Sequence, residues 1–108
     1  MRIYGLKSCD TCRKALKALE AAGHAPAFHD IRAAPLPPGE ITRFRDTFGD
    51  ALVNRRSTTW RGLDEADRAA DPAALLAAHP ALMKRPVIEA DGVLYLGWGP
   101  EVQVALLG

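Results

Sequence analysis

The sequence is short of thiols, of net charge and of long apolar runs, and each shortage excludes something. Only two cysteines occur in 108 residues, so no disulfide framework holds the fold, and a chain of this length buries enough apolar surface not to need one. The formal charge is +1, which leaves no broad basic field for phosphate backbones or anionic membranes; neither nucleic acid nor a membrane is an expected partner. No apolar stretch is long enough to span a bilayer. The start, Met1-Arg2-Ile3-Tyr4-Gly5, meets Lys7 and Asp10 too early for a signal peptide. These features predict a cytoplasmic, reducing compartment, where two close cysteines serve redox chemistry or metal binding more readily than a permanent staple. No internal repeat, low-complexity tract or second domain is visible, and residues 1–108 read as a single domain.

Both cysteines fall in one short stretch, LKSCDTCRK at residues 6–14. Residues 2–5 predict a strand ending at Gly5. From Asp10 to Ala22 the positions Cys12, Ala15, Leu16, Leu19 and Ala22 recur at helical spacing, with Gly23 placed to end the helix. Cys9 therefore falls at the helix start, where unpaired N–H groups and the helix dipole favour an anion. With Lys7, Arg13 and Lys14 nearby, the pattern predicts a lowered thiol pKa for Cys9, and Cys12 on the same helical side is a resolving thiol. Two other readings compete. A C-x-x-C is half a zinc site, but no third or fourth cysteine exists and His24, His29 and His79 have no paired ligand spacing; no metal is expected. Two inert helix cysteines would suit Cys12 better than Cys9.

Beyond the motif, residues 25–31 predict a second strand. Pro35, Pro37, Pro38 and Gly39 then break the chain before a helix carrying Ile41, Phe44 and Phe48, stopped by Gly49. Residues 50–62 read mostly as loop. A helical piece begins near Asp64, and Asp71-Pro72 has the form of a helix start running to a break at Pro80. Two β-type runs flank Asp91-Gly92, a type I′ hairpin signal, and Gly99-Pro100 opens a last helix with Val102, Ala105 and Leu106 on one face. Trp60 and Trp98 read as packing residues, His79 as a helix-end residue, His24 and His29 as partly exposed. Arg43, Arg45, Arg61 and Arg68 read as solvated charges.

Three pieces, IYGLKSCDTCRKAL, NRRSTTWRGL and HPALMKRPVIE, together resemble the arsenate reductase-like (ArsC/Spx/YffB) family over essentially the whole chain. The resemblance implies an α/β, thioredoxin-like fold with a four-stranded mixed sheet, flanking helices and a helical insertion at roughly 38–80, before the C-terminal hairpin. It also implies that Cys9 is the nucleophile, that Arg13 faces it, that Arg85 binds the oxyanion, and that Arg85-Pro86 is a cis peptide. Arg56 is the implied middle arginine, with Arg55 the neighbouring competitor. Guanidinium forks suit tetrahedral oxyanions and the carboxylates of glutathione. Two departures separate the chain from arsenate reductases that depend on glutaredoxin: Cys12 is a second thiol, and LGWGPEV offers Trp98 where those enzymes carry a third arginine. The family thus implies a thiol oxidoreductase with no bound cofactor, with glutathione as co-substrate, arsenate or a glutathione mixed disulfide as substrate, and glutaredoxin as a partner. The alternative it carries is a redox-switched regulator of the Spx type that binds RNA polymerase.

Overall fold

Strand β1, Arg2–Gly5, is the most buried of the short strands on its inner positions, Ile3 and Tyr4, and a computed structural model, which describes residues 1–108, places it inside a four-stranded sheet. β2 (Ala27–Asp30) lies parallel to it, with Ile3 opposite Phe28 and Gly5 opposite Asp30. On its other side β3 (Val87–Ala90) runs antiparallel, with Ile3 opposite Ile88, and β4 (Val93–Leu96) pairs antiparallel with β3. The order is β2-β1-β3-β4. Asp91 and Gly92 both have positive φ, 51° and 79°, the backbone that a two-residue type I′ turn demands.

Helix α1 (Asp10–Ala21) follows β1 after a short loop, and its apolar stripe Cys12, Ala15 and Leu19 is buried. It ends in a Schellman motif: Gly23, at φ 93°, donates its N–H to Glu20 O while His24 donates to Leu19 O. The last helix, Pro100–Leu107, packs Leu106 into the same core, where Ile3, Ala15, Leu19, Ile88 and Ala90 meet Phe28, Tyr95 and Trp98. Burying each of the isoleucines and leucines here is worth about 1.5–3 kcal/mol. The His24 ring bonds Leu106 O at 3.1 Å, fastening the last helix to the end of α1.

The chain separates into two compact units, one of residues 1–34 with 85–108, the other of residues 35–84. The second unit is helical. Helix α2 (Pro38–Phe48) runs into a 3-10 turn, Gly49–Leu52, then α3 (Thr58–Arg61), α4 (Glu65–Arg68), α5 (Pro72–Ala78) and a further 3-10 turn, Pro80–Leu82; the last helix, Pro100–Leu107, is accordingly α6. Its core gathers Ile41, Phe44, Leu52, Leu75, Leu76, Leu82 and Met83. Asp71 accepts the Ala73 N–H as an N-cap and also pairs with Arg45 at 2.8 Å, joining α5 to the end of α2. Residues 50–62 are thus more ordered than a loop: Ser57 Oγ accepts the Trp60 N–H and starts α3, and Arg55 and Arg68 lie against the Trp60 ring at 5.6 and 5.7 Å. No helix is long and apolar enough to cross a membrane.

Candidate functional site

Cys9 is the N-cap of α1. Its extended backbone (φ −85°, ψ 121°) ends the turn in which its N–H bonds Leu6 O, and its carbonyl accepts the first helical bond from the Arg13 N–H. The side chain is only partly covered, and the sulfur lies at the end of the helix where backbone donors converge. Burial opposes its ionisation, but the Cys12 N–H, the Cys12 thiol and the Arg85 guanidinium together prevail and lower its pKa. Cys12 lies within α1 and is 0% exposed. Burial first, then the facing Cys9 sulfur, pushes its pKa up to about 11. The neighbouring sulfurs thus shift in opposite directions: Cys9 toward the thiolate, Cys12 toward the thiol that donates a hydrogen bond to it.

The cation acting on Cys9 is Arg85 rather than one of the cations beside it in sequence. The guanidinium of Arg13 is engaged by Asp10 on the exposed face of α1, an i,i+3 pair. Arg85 immediately precedes buried Pro86, across a cis peptide bond, at the entry to β3. Arg56 belongs to the second unit, where it lines an open cavity of about 570 Å³ together with Asp50, Asn54, Arg55 and Lys84. Arg55 leans toward Asp50 and Trp60. Lys84 contributes a cation to that cavity which sequence reading passed over, although it directly precedes Arg85 in the KRP string.

Asp30 was also missed. Its carboxylate accepts the Lys7 N–H at 3.0 Å on one oxygen and the Arg32 and Ala33 N–H groups at 2.9 and 3.1 Å on the other. These backbone bonds, that from Lys7 foremost, lower its pKa and tie the loop leading to Cys9 onto the end of β2. The only sequence signal was an aspartate closing a β-type run. No group of three or more His, Cys, Asp or Glu side chains is arranged to hold a metal.

A model of the ArsC family matches residues 4–105. An uncharacterized protein of Haemophilus influenzae is 42% identical over 101 residues, covering 89% of each chain. A solved YFFB protein superposes with a TM-score of 0.91 at 36% identity, over 99% of this chain and 98% of its own. The solution structure of an arsenate reductase (ArsC) related protein from Brucella melitensis gives a TM-score of 0.77 at 40% identity, over 96% of this chain and 91% of its own. The β-α-β half, the antiparallel hairpin and the helix that follows it form a thioredoxin-like fold, and the chain belongs to the ArsC family.

Proposed function

We propose that the protein is a thiol-dependent oxidoreductase with Cys9 as nucleophile, Cys12 as resolving thiol and an arginine-lined anion site. The observation that carries this is the pair of unequal sulfurs at the start of α1, one partly exposed with its pKa lowered, Arg85 contributing, the other fully buried with its pKa raised. Arg85 is placed to bind the oxyanion or carboxylate of a substrate held at Cys9, since a planar fork matches either group. Arg56 is assigned an anion in its own basic cavity, and Arg13, paired with Asp10, an auxiliary anion contact on the exposed face of α1.

With a glutathione disulfide, the Cys9 thiolate attacks one sulfur, the S–S bond breaks, and one glutathione leaves as a thiolate that takes up a proton. Cys12 then loses its proton and attacks the Cys9 sulfur; the second glutathione leaves, and an internal disulfide remains. With arsenate, the thiolate attacks arsenic and one As–OH bond breaks, the hydroxyl taking up a proton from solvent and leaving as water as the Cys9-arsenic bond forms. A glutathione thiolate then attacks the Cys9 sulfur, the S–As electron pair stays on arsenic, and arsenite departs as the Cys9-glutathione disulfide forms. Cys12, or glutaredoxin acting with glutathione, resolves that disulfide.

Intact-mass spectra after brief exposure to oxidised glutathione test the roles. Wild type should reach the Cys9–Cys12 disulfide, Cys12→Ser should stall as the glutathione adduct, and Cys9→Ser should give neither. Equal adduct accumulation in wild type and Cys12→Ser would remove Cys12 from the mechanism. The Spx-type reading draws on the same cysteine pair, whose burial difference suits a switch. It predicts retention of RNA polymerase on the immobilised protein in one redox state only and no turnover of arsenate with glutathione and glutaredoxin.

A further inference from the structure

We infer that Gly5 is a positioning residue whose missing side chain makes the space in which the Cys12 thiol sits beside Cys9. This rests on the roles proposed above for the two thiols. Glycine is usually needed where φ is positive, and the positive-φ glycines here are Gly23, Gly49, Gly92, Gly97 and Gly108. Gly5 is not among them. It lies at the end of β1, in register with Asp30 of β2, and its carbonyl accepts the Ile31 N–H as any strand residue would. The backbone therefore tolerates any residue at position 5, and the restriction is spatial. A Cβ there would stand 2.5 Å from Cys12 Sγ and 3.3 Å from Cys12 Cβ, with Phe28 Cζ at 3.7 Å. Phe28 makes ordinary contact at that distance, so the sulfur is the atom that has to move.

The consequence is chemical. Cys12 is fully buried, and its thiol donates to the Cys9 sulfur and is the group that later attacks it. Packing Gly5 against Cys12 holds the sulfur in one rotamer from which both steps are possible. With alanine at position 5 the sulfur must leave that rotamer. The Cys9 thiolate then loses a donor and the mixed disulfide loses its internal attacker.

The test compares Gly5→Ala, Cys12→Ala and the double variant with wild type, all as the full chain. In folded Gly5→Ala the pH profile of Cys9 alkylation should move to the alkaline side. Internal disulfide formation after oxidised glutathione should slow by roughly tenfold or more, since a misplacement of about 1 Å can cost 10²-fold. The loss of thermal stability caused by Gly5→Ala should shrink in the Cys12→Ala background, because the sulfur at 2.5 Å is gone and only the Cβ at 3.3 Å remains. If Gly5→Ala alone fails to fold and the double variant folds, the contact is equally supported. A folded Gly5→Ala with the wild-type profile and disulfide rate overturns the inference, as does an equal stability loss in both backgrounds or a double variant that also fails to fold. Cys12→Ala separates the two layers. Where it departs from wild type and Gly5→Ala does not, only the Gly5 inference falls; where it matches wild type, the role of Cys12 falls and the positioning role with it.

Discussion

Two sulfurs at the start of one helix have pKa values shifted in opposite directions, and that is measurable site by site. Cys9, with its pKa lowered, should reach half its full alkylation rate at a lower pH than an ordinary cysteine does. Cys12, pushed up to about 11, should remain unreactive until the solution is strongly alkaline. Arg85→Gln should shift the Cys9 profile upward, and peptide-resolved mass spectrometry across a pH series reads both sites. The same shifts bear on stability. A thiol whose folded pKa is raised contributes stability that is present below its unfolded pKa and is lost as pH rises through the folded value. Urea midpoints should therefore fall between about pH 8.5 and about 11 through Cys12, and Cys12→Ala should lack that part of the decline. Cys9 works the other way, its contribution being lost as pH falls through its lowered pKa. The position of Cys9 at a helix start was legible in LKSCDTCRK because strand, glycine and helical period are local signals. Its cation was not local: Lys7, Arg13 and Lys14 are near in sequence, whereas Arg85 reaches the sulfur through strand pairing, and only the family resemblance pointed to it.

At the scale of elements, the loop before α1 is held by a side chain from another strand. Asp30→Asn keeps the shape but replaces one accepting oxygen with a donor, so the bond from the Lys7 N–H or those from Arg32 and Ala33 must be given up. Faster hydrogen exchange at the amides of residues 7–9, or at residues 32 and 33, should report which, and unchanged protection at both would show that Asp30 holds neither. Such a staple is invisible to propensity, because an aspartate closing a strand looks the same whatever backbone it caps. The helix ends were more readable. Gly23, Gly49 and the Asp91-Gly92 turn carry their backbone demands in the residue type itself. The stretch 50–62 was less so, since its 3-10 turn and four-residue helix are too short for a hydrophobic period. The one usable signal was Ser57, a capping residue three places before the Trp60 N–H it accepts.

For the molecule as a whole, the order of elements was legible because each run of apolar residues had one period and a clear stop, but the pairing of β1 with β3 was not. It joins residues more than eighty positions apart, and Ile88 sits fully buried opposite Ile3 at that junction. Ile88→Ala should cost about 2–5 kcal/mol, seen as a lower urea midpoint at unchanged slope. That junction also orders events in time. The unit bearing Cys9 is discontinuous, built from residues 1–34 and from 85–108, so its sheet can pair only β1 with β2 until residues 85–108 have been made. Chains emerge N-terminal end first, at about 5–20 residues per second. Until residue 85 emerges the sulfur lacks the guanidinium that helps to lower its pKa, and its alkylation profile should lie nearer that of an ordinary thiol. The full shift of the Cys9 pKa is thus tied to the pairing of β1 with β3.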